Sequence, residues 1–169
     1  QGTEVGEAVL GELGAERTTI VEQKQQLGTG DAVNAAREFL ENDDALLLVL
    51  SGDVPMIKPE TLASLIQRHR DHRGRGAACT ILTVKLKDPT GYGRIVRLGG
   101  AISRIVEERD TSPVEREISE INAGIYAFEL GPLFDSIRGI ASANAQGEYY
   151  LPDLVGIYRE RGLGVTTVP

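Results

Sequence analysis

The chain has 169 residues, a formal net charge of −7, 25% charged residues and 41% hydrophobic residues. These values fit one globular domain with a substantial core, and the dispersed acidic charge argues against generic binding to nucleic acid or to a membrane surface. Cys79 is the single cysteine, so no internal disulfide can form, and a reducing cytoplasm is the expected compartment.

The first half of the chain alternates helical and strand patterns. Helical spacing of apolar residues predicts helices over residues 4–13, 32–40 and 59–72. Strands are predicted over residues 18–22, 47–50 and 77–86, from β-branched or continuous apolar runs. This alternation predicts a parallel sheet with helices on its faces.

The pattern changes in the second half. A Pro- and Gly-rich loop over residues 88–94 leads into two short strands, 94–98 and 101–107, which Gly99 and Gly100 join as a hairpin. A short helix or loop is expected over residues 113–118, a strand over 121–128, helices over 130–137 and 151–161, and a last strand over 165–168. The predicted fold class is therefore α/β, with three layers, a mostly parallel sheet and a small β-hairpin insertion.

Asp53 follows the apolar run 47–50, and Pro55 comes two residues later. Such a run is typical of a central strand buried on both faces, and ligands bind at the carboxyl ends of strands in open α/β sheets. A carboxylate at that position suits a hard cation such as Mg²⁺. A simple turn or the cap of the next helix explains Asp53 equally well.

Other polar positions carry weaker signals. Gly28 and Gly30 allow close approach of a ligand to the backbone, but a plain turn into a helix is the favoured interpretation. Asn122 lies in an apolar strand, where ligand contact and internal hydrogen bonding are equally plausible. His69 and His72 have helical i, i+3 spacing, and a solvated helix end is favoured over a metal site.

Six stretches together resemble one family, the uridyltransferase domain of the bacterial N-acetylglucosamine-1-phosphate uridyltransferases, within the sugar-nucleotidyltransferase superfamily. The resemblance covers nearly the whole chain and rests on residues 23–32, 52–55, 88–95, 105–107, 120–125 and 144–151. It implies a Rossmann-like nucleotidyltransferase fold. It also implies Mg²⁺-assisted transfer of a uridylyl group from UTP to N-acetylglucosamine 1-phosphate.

The resemblance assigns five residues to the nucleotide. Gln23 would hydrogen-bond the uracil, because an amide matches both its donor and its acceptor edge. Gly28 and Thr29 would line the base pocket, and Ser51 and Gly52 would lie beside the nucleotide.

The resemblance assigns the remaining site residues to the metal and the sugar. Asp53 would ligate Mg²⁺ as the catalytic carboxylate. Gly93, Glu107 and Asn122 would contact the sugar, with the neutral amide reading its N-acetyl group.

The chain also departs from the family. It has no initiator Met, and the family's N-terminal Gly-rich loop, the later residue that completes the metal site and the C-terminal β-helix are not in the sequence. We therefore expect residues 1–169 to be a partial, poorly active domain of a larger protein, with the parent a homotrimer through its β-helix. Ser51 and Pro152 stand where many members have Tyr and Thr.

Two other functions remain open from the sequence. One is a glucose-1-phosphate thymidylyl- or uridylyltransferase, against which the stretches 120–125 and 144–151 argue. The other is a non-catalytic module that binds sugar nucleotides.

Overall fold

The computed structural model describes residues 2–40, 45–54 and 56–169, with the backbone alone described for residues 2–5. Pro55, which follows Asp53 by two positions, lies outside these residues. The helices are α1 (Gly2–Leu13), α2 (Thr29–Ala35), α3 (Arg37–Leu40), α4 (Pro59–Arg73), α5 (Pro113–Arg116), α6 (Leu130–Ser136) and α7 (Leu154–Glu160). The strands are β1 (Leu46–Val49), β2 (Ala77–Lys85), β3 (Arg94–Leu98), β4 (Ala101–Val106), β5 (Glu120–Glu129) and β6 (Gly164–Val168).

The six strands form one mixed sheet in the order β4-β3-β5-β2-β6, with β1 also paired to β5. Four strands, β1, β2, β3 and β6, point in one direction, as a mostly parallel sheet requires. Their direct pairing is nevertheless parallel only between β2 and β6, because β5 runs in the opposite direction between its neighbours. Local alternation of helices and strands does not reveal this reversal, because the direction of β5 is defined by its pairing with strands that are distant in sequence.

Helices cover both faces of the sheet, so the predicted α/β class and its three layers are confirmed. On one face, α6 and α7 pack on a large cluster that includes Phe128, Leu133 and Tyr158. On the other face, Leu65 of α4 packs against Leu82, Ile125 and Ala127. Alternate residues of β5 point to the two clusters, as the period-two geometry of a strand requires.

A notch in the sheet lies between β1 and β3. Both strands pair with the same edge of β5, but Val49 at the end of β1 lies opposite Tyr126, whereas Arg94 at the start of β3 lies opposite Ile121. Residues 122–125 of β5 therefore face the gap between the two strands. The turn after β1 and the loop before β3 meet at this notch.

Two local predictions have opposite outcomes. The hairpin is confirmed, because Gly99 and Gly100 both have positive φ, 57° and 84°, as a two-residue type I′ turn needs. The predicted strand 18–22 is wrong. Its residues are not assigned to any strand in the described sheet, and Ile20 is 53% exposed, because β-branched residues form a strand only where an edge is available for pairing.

Candidate active site

The notch opens into a cavity of about 560 Å³, called here the main cavity. Its walls come from the turn after β1, the loop before β3, the notch residues of β5 and the segment 146–152. Six residues predicted for a site lie on its wall, namely Thr29, Ser51, Asp53, Gly93, Glu107 and Asn122. The chain thus brings together residues that are up to 93 positions apart in sequence, from Thr29 to Asn122.

A smaller cavity of about 270 Å³, the side cavity, adjoins the main one. Gln23 and Gly28 line it, and Thr29 lines both cavities. Gln23 is held in place because its Nε2 donates to Asp31 Oδ2 at 2.7 Å and to Gly28 O at 3.2 Å. Eight of the nine predicted site residues therefore line one of the two cavities, six of them the main cavity, whereas Gly52 is exposed and lines neither.

The side cavity is built by two segments that hydrogen-bond to each other. Tyr149 N donates to Leu27 O at 2.7 Å, and Gly30 N donates to Tyr149 O at 2.8 Å. Leu151 N donates to Thr29 Oγ1 at 3.0 Å. A Cβ on Gly28 would lie 2.7 Å from Tyr149 O, so glycine is needed for this close approach. The Gly-x-Gly stretch is thus a tight contact with the segment 144–151 as well as a helix start.

Asp53 lies in the turn that follows β1, exposed to solvent and on the wall of the main cavity. Asp53 thus follows the end of a strand, as the sequence predicts, but the prediction of a central strand buried on both faces is wrong for β1. Its residues are half-buried, and within the described sheet it pairs only with β5, in the antiparallel direction. Over the described ranges 2–40, 45–54 and 56–169, no group of three His, Cys, Asp or Glu side chains is placed to hold a metal ion. Asp53 is therefore a single carboxylate that would need ligands from a substrate to hold a cation.

Glu107 lies on the wall of the main cavity next to Gly93. A Cβ on Gly93 would lie 2.8 Å from Glu107 Oε1, so only glycine leaves the carboxylate this position. Burial raises the pKa of Glu107, and the nearby carboxylates of Asp153 and Asp110 raise it further, against the opposing effect of Arg94. A carboxyl group with a raised pKa in a cavity is a common feature of functional sites.

The loop before β3 is anchored by an ion pair that sequence reasoning did not identify. Arg94 is 2% exposed, and its Nη2 lies 2.7 Å from Glu108 Oε2. The same carboxylate accepts from Gly91 N at 3.2 Å, and Arg94 also donates to Tyr92 O. The sequence feature that could have indicated this ion pair is an Arg directly after a Gly-rich loop.

Asn122 is 9% exposed and makes internal hydrogen bonds while it lines the cavity. Its Nδ2 donates to Tyr126 Oη at 2.6 Å, and its Oδ1 accepts from Gly124 N at 3.1 Å. Internal bonding is therefore shown, and contact with a ligand stays a prediction.

Several further residues line the main cavity although the sequence analysis assigned them no role in a site. They are Tyr92, Gly124, Tyr126, Gln146, Glu148 and Tyr150. Most lie in stretches of mixed polar and aromatic residues, whose spacing alone does not show which side chain faces inward. Together with Asp53 and Glu107, Glu148 makes the described wall of the cavity acidic, with no Lys or Arg on it.

Outside the cavities, the prediction of a solvated helix end is wrong for His69. The ring is 1% exposed and lies 2.9 Å from both Thr80 Oγ1 and Glu129 Oε1. It packs between α4 and the sheet. The apolar periodicity of α4 does not predict this burial because the ring is polar.

Cys79 is 1% exposed, and burial raises the pKa of its thiol, as expected for a core residue. None of the helices in the described ranges combines the length and apolarity that a bilayer span requires.

Comparison with known proteins places these features in a family context. Residues 6–163 match the family model described as nucleotidyl transferase. The chain is 48% identical over 157 residues to the bifunctional protein GlmU of Geobacter metallireducens, covering 92% of this chain and 32% of that protein. It is 52% identical over 144 residues to GlmU of Pelotomaculum thermopropionicum, covering 85% and 31%. The chain thus spans about a third of the length of these curated relatives.

A solved structure shares the fold. It is a crystal structure from Bacillus anthracis, of a protein assigned as a glucose-1-phosphate thymidylyltransferase and bound to sucrose. The TM-score is 0.67 at 22% identity, and the match covers 96% of this chain and 62% of that one.

Proposed function

The chain belongs to the nucleotidyl transferase family, and we propose that the protein containing it transfers a uridylyl group from UTP to N-acetylglucosamine 1-phosphate. The products are UDP-N-acetylglucosamine and pyrophosphate. The observation that carries this proposal is the pair of adjoining cavities that share Thr29. One is lined by the residues expected for the nucleotide base, and the other by those expected for the sugar.

The base binds in the side cavity in this proposal. Gln23 donates both Nε2 hydrogens, to Asp31 and to Gly28, so the position of its amide is set before a ligand arrives. Its Oε1 is left to accept a hydrogen bond from the N–H of the uracil. Gly28 presents backbone rather than a side chain to the base. Thr29 marks the junction where the base side meets the sugar side, with Ser51 and Gly52 next to the phosphates.

The sugar binds in the main cavity. Gly93 leaves space above the Glu107 carboxylate, which accepts hydrogen bonds from sugar hydroxyl groups. Asn122 lies on the neighbouring strand with one amide hydrogen and one oxygen lone pair beyond its internal bonds. A neutral amide suits the N-acetyl group of the sugar.

The reaction requires no protein nucleophile. An oxygen of the sugar phosphate attacks the α-phosphorus of UTP in line. The bond between that phosphorus and the oxygen that links it to the β-phosphorus breaks. Pyrophosphate leaves with the bonding electron pair. The chain's contribution is alignment of the two substrates, which the shared wall of the two cavities supports.

Asp53 is the residue that would hold Mg²⁺. Its carboxylate faces the cavity and, among the described residues, takes part in no hydrogen bond or ion pair, so it is available as an oxygen ligand. A bound Mg²⁺ would supply the positive charge that neutralises the phosphates on this acidic wall.

Pyrophosphate release from UTP and N-acetylglucosamine 1-phosphate, measured with the longest natural chain that contains this sequence, tests the proposal. Asp53→Asn should lower kcat/KM by about 100-fold or more, because a metal ligand contributes several kcal/mol to charge stabilisation. Asp71→Asn is the matched control, since Asp71 is an exposed aspartate of α4 outside both cavities. Equal activity of the two variants would contradict the role of Asp53, and no turnover in the wild type would contradict the function.

A further inference from the structure

The amide of Asn122 is held on both sides by its own strand. Gly124 N donates to Oδ1 at 3.1 Å, and Nδ2 donates to the hydroxyl of Tyr126 at 2.6 Å. All three residues lie on the wall of the main cavity. The amide therefore lies at the cavity surface, and these two hydrogen bonds set its orientation.

The two contacts determine which way the amide faces. A backbone N–H can only donate, so the atom opposite Gly124 must be the oxygen. The nitrogen then faces Tyr126, whose hydroxyl oxygen accepts. This leaves one N–H of Asn122 and one lone pair of its oxygen for a ligand, in a fixed spatial order.

Tyr126 is itself rigidly placed. It is 4% exposed, and its ring stacks on Phe128 with a centroid distance of 5.4 Å and an interplanar angle of 22°. Burial raises the pKa of Tyr126, so its hydroxyl stays neutral. The position of the hydroxyl is therefore set by core packing.

We propose that Tyr126 is a positioning residue that sets the preference for an N-acetylated sugar by fixing the orientation of the Asn122 amide. This inference rests on the proposed function. An acetamido group presents one donor and one acceptor, and a correctly oriented amide places an acceptor and a donor opposite them. A flipped amide would instead place donor opposite donor and acceptor opposite acceptor. A sugar with a hydroxyl at that position is less sensitive, because a hydroxyl can both donate and accept.

Removal of the hydroxyl should weaken this discrimination. In Tyr126→Phe the ring still stacks on Phe128, but Asn122 Nδ2 loses its acceptor and the amide can rotate. One neutral hydrogen bond corresponds to a factor of about 2 to 13. We expect the ratio of kcat/KM for N-acetylglucosamine 1-phosphate over glucose 1-phosphate to fall about five- to tenfold. The change should appear in KM for the acetylated sugar, with kcat within about twofold.

Tyr158→Phe is the matched control. Tyr158 also packs on Phe128, at a centroid distance of 6.4 Å, and is 0% exposed. Its hydroxyl has no hydrogen-bond partner in the described part of the chain, and it does not line the main cavity. We expect Tyr158→Phe to keep the wild-type sugar preference.

A double-mutant cycle separates positioning from direct contact with the sugar. If Tyr126 acts through Asn122, then Tyr126→Phe should add nothing to the loss of preference in an Asn122→Ala background. Additive losses would overturn the proposal, as would an unchanged ratio in Tyr126→Phe. Failure of the wild type to use any sugar phosphate would overturn the proposed function and this inference with it.

Thermal unfolding shows first whether each variant folds. If Tyr126→Phe does not fold, Asn122→Asp tests the same orientation, because it keeps an acceptor opposite Gly124 and replaces the nitrogen by oxygen. The preference for the acetylated sugar should then fall at least fivefold, by the same hydrogen-bond estimate of roughly 1 kcal/mol. A wild-type ratio in Asn122→Asp would overturn the proposal.

Discussion

Glu107 combines a position proposed for sugar binding with an energetic cost to the fold. It faces the main cavity, and burial and the carboxylates of Asp153 and Asp110 raise its pKa. The folded state therefore binds a proton at Glu107 more tightly than the unfolded state does. At a pH above the folded pKa the ionised carboxylate lowers the free energy of unfolding, and this loss is relieved as the pH falls through that pKa.

The substitution Glu107→Gln should therefore raise the free energy of unfolding near neutral pH relative to the wild type. The difference should shrink as the pH falls toward the ordinary glutamate pKa of about 4.3. Denaturant unfolding at a series of pH values measures it. The same variant should lose activity with sugar phosphates if the carboxylate binds the sugar, which would separate stability from function.

Glu115→Gln supplies a control of opposite sign. Hydrogen bonds from Ser112 and then Arg104 lower the pKa of Glu115 to about 2. Its contribution to stability is present above the unfolded pKa and is lost as the pH falls toward the folded value, so the substitution should lower stability near neutral pH. A Glu107→Gln variant that is less stable than the wild type at neutral pH would refute the interpretation of Glu107.

At the scale of residues, the sequence predicted where side chains lie better than what they contact. The apolar run before Asp53 predicted that this carboxylate follows the end of a strand, but not that the strand is half-buried and pairs antiparallel with β5. The hydrogen bonds of Asn122 were not predictable. Its partner Tyr126 lies four positions later on the same strand, and the two side chains meet because Gly124 between them has a φ of 72°. His69 was misjudged since polarity normally indicates exposure, whereas here two polar partners satisfy a buried ring.

At the scale of elements, the start of α2 and the segment 144–151 form one structural unit. Their backbone hydrogen bonds and the Thr29 hydroxyl connect the wall of the side cavity to the wall of the main cavity. Gly28 makes this possible, with φ of 109° and Tyr149 O close to the position that a Cβ would take.

Gly28→Ala should consequently destabilise the protein by more than about 1 kcal/mol, since alanine is strained at that φ and its Cβ has no space. KM for UTP should rise because the side cavity changes shape. Gly131→Ala is the control, because Gly131 lies in α6 and a Cβ there meets nothing within 4 Å. Urea unfolding and steady-state kinetics would measure both effects, and similar behaviour of the two variants would count against the close-approach argument.

The elements themselves were largely predictable, and their pairing was not. Strands 47–50 and 77–86 and helix 59–72 were found from local apolar patterns, close to the observed bounds. The strand predicted at 18–22 failed because strand formation depends on a free edge, which a local pattern does not reveal. The antiparallel position of β5 was missed for the same reason, since pairing order is a property of the whole sheet.

At the scale of the whole molecule, the site lies on one part of a sheet that is stabilised separately on its two faces. On the α4 face, His69 adds polar contacts to the apolar packing, because its ring links the helix to Thr80 on β2 and Glu129 on β5. None of these three residues lines either cavity. Stability of this face and binding at the site should thus be separable by mutation.

His69→Leu should lower the free energy of unfolding by about 1–3 kcal/mol, because Thr80 is 0% exposed and loses a hydrogen-bond partner. KM for both substrates should stay unchanged. His72→Gln is the control: His72 bonds to Arg68 O on its own helix, so the effect should stay within about 0.5 kcal/mol. Equal destabilisation by the two substitutions would contradict the stabilising role of the His69 contacts. A changed KM in His69→Leu would show that the α4 face and the site are not independent.

The two adjoining cavities predict that one protein selects both a uracil base and an N-acetylated sugar. The most direct test is kcat/KM for pyrophosphate release with UTP or dTTP, each paired with N-acetylglucosamine 1-phosphate or glucose 1-phosphate. The longest natural chain that contains this sequence should be used, with Mg²⁺ present. We predict that UTP with N-acetylglucosamine 1-phosphate is the preferred pair. Preference for dTTP with glucose 1-phosphate, or no turnover with any pair, would contradict the proposed function.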